Sequence, residues 1–257
     1  MDTLRGYHRE GWDISYRPSV GSTNDLALNA GRQGAPEGLV VVAEEQTAGR
    51  GRLGRRWLAP PETCLLMSLL FRPPEPFARY AARTTMLCGL ALSMAIGEVA
   101  AVPATLKWPN DLIVEGEGPW RKVAGMLSEI GLEGEAPSCV VVGIGLNVNV
   151  APADLPHLAP NATSLLAESG HPVDRVALLD AFLQHVERFY AQLRRGWDPL
   201  PLWREHLAWL GCAVEVHTPT EVVTGVAEDV DGEGALQLRL PDGSRRSLPV
   251  GDISLRV

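Results

Sequence analysis

Cysteine is scarce: the chain has four, Cys64, Cys88, Cys139 and Cys212, and no two are close in sequence. That spacing excludes a local redox pair or zinc knuckle and predicts reduced, mostly buried thiols in a cytoplasmic protein. The six histidines fall in no metal-binding spacing, so none is assigned as a ligand. Cationic charge is in deficit. Lys and Arg total 23 against 31 Asp and Glu, a formal net charge of -8. Wholesale wrapping of nucleic acid needs a basic surface, so it is disfavoured, although a local basic site is not. Long apolar runs are missing too. The longest, between Arg83 and Glu98, is shorter than the roughly 20 residues a membrane span needs, and it reads as a buried helix. Residues 1–13 are polar and mixed in charge, which excludes a secretory signal. The glycosylation sequon at Asn161-Ala162-Thr163 is therefore discounted. What remains is globular composition: 257 residues, 46% hydrophobic and 21% charged. Long disorder and coiled coil are excluded, and about one to two domains are expected, with a core that needs no staples.

The apolar pattern predicts alternating strands and helices. Residues 12–16 read as a short strand. Ser22 with Asp25 three residues later reads as a capping box opening a helix, which Gly31 and Gly34 end. The β-branched run 39–43 and the apolar run 64–71 read as buried strands, and the Pro-rich stretch 73–76 as a rigid connector. A long helix is expected over 77–100, short strands over 105–108 and 111–114, and longer strands over 122–130 and 139–149. Residues 151–161 read as a Pro-rich surface loop, 163–168 as a short helix, and 173–194 as a long one with apolar residues at helical spacing. From Cys212 onward short alternating segments and Gly turns predict a small all-β unit. The break gives two domains, 1–210 and 211–257.

Three segments stand out chemically. The first is the Gly/Arg loop between Glu44 and Pro61, too long to be a mere connection. Gly49, Gly51 and Gly54 let backbone N–H groups face an anion, while Arg50, Arg52, Arg55 and Arg56 supply planar charged donors. A solvated loop or a small nucleic-acid patch would carry the same residues, but glycines at alternate positions suit close approach of a ligand. The loop has no Walker pattern and no dinucleotide fingerprint. The second is Lys107-Trp108-Pro109-Asn110-Asp111 followed by Lys122-Val123-Ala124-Gly125, where lysines beside apolar strands can stabilise developing charge and Asp111 can bind Mg²⁺ or orient an attacking group. Taken alone, this is also what a surface turn with two solvated lysines looks like. The third is Gly143-Ile144-Gly145-Leu146-Asn147, a strand whose paired glycines suit either a ligand or a close-packed neighbour, the latter being preferred on the residues alone. Ser22-Thr23-Asn24 is accounted for by the helix cap, yet it also gathers hydroxyls and an amide fit for a small polar ring. Gln46 is a neutral hydrogen-bonding group beside the glycine loop.

In this order the segments, with Gly251-Asp252-Ile253-Ser254-Leu255-Arg256 at the end, resemble the biotin–protein ligase family over nearly the whole chain. The resemblance implies an α/β (α+β) catalytic domain related to class II aminoacyl-tRNA synthetases, with a small C-terminal SH3-like β-barrel. It implies a two-step reaction. Biotin and MgATP give biotinyl-5′-AMP and pyrophosphate, and a lysine of a biotin carboxyl carrier domain then attacks the adenylate. By motif position, Ser22, Thr23, Asn24, Gln46, Arg50, Gly51, Arg52 and Lys122 are expected to contact biotin. Arg50, Arg52, Trp57, Lys122, Asn147 and Arg256 are expected to approach ATP or the adenylate. Lys122, Asp111, Lys107 and Arg52 are the expected catalytic groups, with Asp111 as the expected Mg²⁺ ligand. About twenty residues precede Ser22, too few for the winged helix-turn-helix that makes some relatives repressors, so no nucleic-acid partner is expected. A homodimer across a sheet edge is among the arrangements the family implies. The connection between Asp111 and Lys122 departs from the family pattern, with Glu115 to Arg121 read as a surface hairpin extension. The runner-up is a lipoate or octanoate ligase or transferase of the same fold. A biotin or nucleotide sensor without turnover is the reading from another class.

Overall fold

The computed structural model describes residues 4–73, 77–116 and 118–255. Among these, seven strands form the larger sheet, in the order β1-β2-β3-β7-β6-β5-β4. The chain runs β1 (Asp13–Arg17), α1 (Thr23–Arg32), β2 (Leu39–Ala43), β3 (Cys64–Phe71), α2 (Phe77–Ala100), β4 (Ala104–Lys107), β5 (Asp111–Gly116), β6 (Gly118–Glu133) and β7 (Ala136–Asn147). Then come α3 (Leu155–Leu158), α4 (Leu165–Ser169), α5 (Arg175–Arg194) and α6 (Leu200–Glu205). Strands β1 and β2 are parallel and the other neighbours antiparallel. The connector predicted at 73–76 lies, apart from Pro73, outside the described residues.

Strands β2 and β3 read as near-continuous apolar runs, broken only by Ser68, because the sheet is covered on both faces. Val40, Val42, Leu65, Met67 and Leu69 share a core with α2 and α5, while Leu39, Val41 and Leu70 pack with Ala27 and Leu28 of α1. The uncharged middle of α2 is accordingly buried against α5 and the sheet. At the start of α5, Arg175 donates to Glu44 Oε2 at 2.6 Å and to the Cys64 carbonyl at 3.0 Å, tying that helix to β2 and β3.

The second sheet begins at Ala213, close to the predicted break. It comprises β8 (Ala213–His217), β9 (Val222–Val230), β10 (Leu236–Arg239), β11 (Arg245–Leu248) and β12 (Asp252–Leu255). The order is β11-β10-β9-β8-β12, all antiparallel, with β11 and β12 at its ends. Buried Trp108 fastens it to the larger sheet, its indole N–H donating to the Gly234 carbonyl at 2.9 Å. Three elements escape the sequence reading. Helix α3 lies within the stretch 151–161 that reads as a Pro-rich surface loop. Strand β11 is built from Arg245, Arg246, Ser247 and Leu248, with almost no apolar alternation, and α6 is a single turn and a half opened by Pro199. The hairpin expected between Asp111 and Lys122 is present: β5 and β6 pair as far as Gly116 and Gly118. Its residue Trp120 is not simply a surface group, because it packs edge-on against Trp209 with ring centroids 5.8 Å apart.

Candidate active site

On the α1 side of the large sheet the apolar cover is interrupted. Ser68 of β3, Gly143 and Gly145 of β7, and Gly125 of β6 are neighbours across the ladders, Ser68 facing Gly143 and Gly125 facing Gly145. Apolar packing resumes beyond them at Cys64 and Leu66. The glycines leave a cavity of about 240 Å³, closed by the start of α1, Gln46, the arginine loop and Lys122. The glycines are close-packed and border the cavity at once. A Cβ at Gly143 would lie 2.0 Å from Asn24 Oδ1, and one at Gly145 would lie 2.3 Å from the Trp57 ring. The close-packed neighbours are themselves cavity walls.

One end of the cavity is neutral. Ser22 caps α1, accepting the Asp25 N–H at 3.5 Å, and this brings Ser22, Thr23 and Asn24 into the first turn with 3–4% exposure. Gln46 Oε1 accepts the Thr23 N–H at 2.8 Å and lies 3.1 Å from Thr23 Oγ1. Asn24 Nδ2 donates to the Leu127 carbonyl at 3.1 Å and to Glu129 at 2.7 Å, and its Oδ1 accepts from Ser68 at 2.6 Å.

The other end is cationic. Lys122 Nζ lies 2.7 Å from Asp111 Oδ1 and 5.6 Å from the centre of the Trp57 ring. Lys122 is three residues from Gly125, an odd offset that would put the two on opposite faces of a regular strand. A β-bulge opposite Leu112 and Ile113 corrects this: Leu112 pairs with Ala124 but Ile113 pairs with Lys122. The ammonium consequently comes within 3.0 Å of where a Gly125 Cβ would sit. Asn147 also borders the cavity, held by donation to the Thr163 carbonyl at 2.9 Å. The indole N–H of Trp57 is buried and has no hydrogen-bond partner among the described residues.

The arginine loop folds back on itself. Gly51 N–H donates to the Arg55 carbonyl and Trp57 N–H to that of Gly49, around a turn in which Leu53 and Gly54 take φ of 57° and 73°. Arg50 reaches Asp25 at 2.6 Å and Glu129 at 3.0 Å. Arg52 donates to Asn110 Oδ1 at 3.3 Å and to the Gly251 carbonyl at 3.5 Å. Burial pushes its guanidinium below the usual arginine range, against the opposing pull of Asp111 and Asp252. Arg55 meets Asp252 Oδ2 at 3.0 Å.

Among the described residues, Lys107 is the expected site residue that does not border the cavity. Its fully buried ammonium lies 2.6 Å from Asp252 Oδ1 and 4.8 Å from the Trp120 ring centre. Asp252 therefore holds the buried lysine with one oxygen and the arginine loop with the other. Burial would raise its carboxyl, but Lys107 and Arg55 outweigh that and hold it below the ordinary carboxylate range. Asp252→Asn is expected to cost about 1–3 kcal/mol of stability at neutral pH. A depressed carboxyl contributes above its unfolded-state value, so the difference from wild type persists at pH 7 and closes only in acid below about pH 4. Urea unfolding of both proteins from pH 3 to 8 checks this. A difference that grows in acid would contradict it.

Ser22, Thr23, Asn24, Gln46, Arg50, Gly51, Arg52, Trp57, Asp111, Lys122 and Asn147 all border one cavity. Arg256 lies outside the described residues. The sequence reading missed Asn110, Trp120 and Asp252, which border the cavity, and Ser68 and Glu129, which hold Asn24. Ser68 carried a signal, a lone hydroxyl inside an apolar strand. Asp252 carried none beyond its place in the C-terminal segment. No described helix is long and apolar enough to cross a membrane.

The sequence matches the Biotin/lipoate A/B protein ligase family over residues 16–147 and the Biotin protein ligase C terminal domain over residues 210–256. It is 37% identical over 240 residues to the biotin–[acetyl-CoA-carboxylase] ligase of Paracoccus denitrificans, covering 90% of this chain and 96% of that one. It is 33% identical over 239 residues to the bifunctional ligase/repressor BirA of Bacillus subtilis, covering 92% and 72%. Among solved structures, the biotin protein ligase from Aquifex aeolicus in complex with biotin and ATP superposes with a TM-score of 0.75 at 27% identity, covering 95% of this chain and 98% of that one.

Proposed function

The chain belongs to the biotin/lipoate A/B protein ligase family, and we propose that it is a biotin–protein ligase, activating biotin with MgATP and passing it to a lysine of a biotin carboxyl carrier domain. The observation that carries this reading is the polarity of one cavity, with neutral hydroxyl and amide groups at one end and Lys122 with Arg52 at the other. Biotin has the same polarity, a neutral ureido ring joined by an aliphatic chain to a carboxylate. A lipoate or octanoate chain has no ring N–H or carbonyl, and would leave the remaining hydrogen-bonding capacity of Ser22, Thr23 and Gln46 towards the cavity unmet, which a buried polar site penalises.

In the first half-reaction the biotin carboxylate attacks the α-phosphorus of ATP, and pyrophosphate leaves. Two anions must meet, so cations are needed where they meet. Lys122 and Arg52 supply them, stabilising the charge that builds on the phosphoryl oxygens. Asp111 aims Lys122 through the 2.7 Å ion pair. In the second half-reaction the carrier lysine attacks the acyl carbonyl and AMP leaves, with Asp111 facing the incoming amine. Mg²⁺ enters with ATP as part of the substrate. In that form it needs only one or two protein carboxylates, and Asp111 would supply one. No group of three or more His, Cys, Asp or Glu among the described residues forms a metal site of its own. Arg50, Arg52 and Trp57 close over the adenylate and keep water from it. Lys107 acts at one remove, by fixing Asp252 and through it the loop. Residues 1–210 form the catalytic domain and 211–257 the C-terminal one.

Incorporation of biotin into a purified carrier domain tests the reading. Labelling that requires MgATP, and that disappears when the acceptor lysine is changed to arginine, is the expected result. Biotin binding without any transfer would favour a sensor.

A further inference from the structure

Ser68 is fully buried in β3, and no element of the proposed chemistry uses it. Its Oγ lies 2.6 Å from Asn24 Oδ1 and 2.7 Å from Thr23 Oγ1. These contacts have a proton count. Asn24 Nδ2 already donates to the Leu127 carbonyl and to Glu129, so the amide cannot be turned round, and the atom facing Ser68 is an oxygen that can only accept. Ser68 has one proton, and it must go to Asn24. The short contact to Thr23 is then a hydrogen bond only if Thr23 donates to Ser68. The longer 3.1 Å approach of Thr23 Oγ1 to Gln46 Oε1 is left without a proton. Gln46 loses nothing by this, because it takes the Thr23 N–H at 2.8 Å. The opposite direction, Ser68 to Thr23 to Gln46, would press two bare lone pairs together at 2.6 Å in a dry interior, which is strongly unfavourable.

We infer that Ser68 is a positioning residue that fixes a one-way hydroxyl chain, Thr23 to Ser68 to Asn24, and so presents Thr23 Oγ1 to the cavity as an acceptor only. The inference rests on the biotin reading of the cavity and adds what sets its ring selectivity. With its own proton held inward, Thr23 welcomes a ring N–H and repels a ring atom that can only accept. Gln46 Nε2 remains free to donate to a ring carbonyl. The cavity is thereby matched to a cyclic urea before any ligand arrives, at no reorganisation cost. Ser68 touches no ligand and acts through Thr23 and Asn24. Without it, the Thr23 proton can rotate towards Gln46 or into the cavity, and the acceptor becomes an adaptable hydroxyl.

The test is calorimetric titration of wild type, Ser68→Ala and Ser68→Cys with biotin and with the analogue in which both ring N–H groups are oxygen. Wild type should prefer biotin strongly. Ser68→Ala should bind biotin about tenfold more weakly, because the released Thr23 proton competes for the space of the ring N–H and the pre-set acceptor is lost. The stranded Asn24 acceptor costs stability, not affinity. Ser68→Ala should also compress the preference for biotin over the oxygen analogue by about tenfold or more, because the freed Thr23 proton can now serve the analogue. A site that had merely loosened would weaken both ligands alike. Ser68→Cys keeps the bulk but donates poorly, and it should fall between the two. Unchanged biotin affinity and an unchanged ratio in Ser68→Ala, or equal losses for both ligands, would overturn the inference. Wild type that binds neither ligand would overturn the biotin reading itself and the inference with it.

Discussion

Lys122→Ala is expected to stay folded and to slow pyrophosphate release from MgATP and biotin by about 10²- to 10³-fold, the usual effect of removing a group aimed at developing charge. The ammonium lies at the cationic end of the cavity, held by Asp111 at 2.7 Å and set against the Trp57 ring. Its loss leaves Asp111 without that cation, which costs about 1–3 kcal/mol of stability, well short of unfolding a domain with this much buried core. The effect falls on both the KM for biotin, whose carboxylate Lys122 also meets before reaction, and on kcat, because further charge builds on the phosphoryl oxygens in the transition state. Lys122→Arg keeps the charge but swaps a compact ammonium for a longer planar fork, and should recover little of the rate. Rapid-quench measurement of adenylate formation separates this step from later transfer. Near-normal adenylation by Lys122→Ala would remove the residue from the catalytic role.

Gly143→Ala is the second large effect, and it reaches the neutral end of the cavity. The new Cβ would lie 2.0 Å from Asn24 Oδ1 and 2.7 Å from its Cγ. Asn24 cannot swing aside freely, since its amide is committed to Ser68, Leu127 and Glu129. Either Asn24 abandons those bonds or α1 lifts from the sheet, and both carry Thr23 and Ser22 with them. Biotin affinity is expected to fall about 100-fold or more, with a loss of about 1–3 kcal/mol in stability from overpacking. Calorimetry and urea unfolding on the same preparation check both. Wild-type affinity in Gly143→Ala would show that Asn24 and its neighbours do not form the ring site.

The difference between these two residues shows what a sequence can disclose. Strands β2 and β3 and helix α2 have the ends the apolar pattern predicts, because burial on both faces leaves long uninterrupted runs bounded by Pro, Gly and charge. Strand β11 and helix α6 leave no such trace, since one is polar and the other short. The cavity's walls were legible as motifs, but their geometry was not. Nothing in the residues 122–125 announces the β-bulge that turns Lys122 to the side of Gly125. Lys107 and Lys122 look alike in sequence, each a lysine beside an apolar strand. In the fold, one lines the cavity and the other is sealed between Asp252 and Trp120. Asp252 could be given its part only when the C-terminal sheet was seen against the arginine loop, two segments some two hundred residues apart. On the residues alone Gly143 reads more safely as a packing residue than as a ligand contact, and in the fold it packs against Asn24 while bordering the cavity.

Pyrophosphate release from MgATP by the purified protein, with biotin, lipoate and octanoate compared side by side, tests the central claim most directly. Release with biotin alone is the predicted result, because only biotin pairs the neutral groups of the cavity while its carboxylate reaches Lys122. Release driven by lipoate or octanoate, or no release with any acid despite measurable biotin binding, would contradict it.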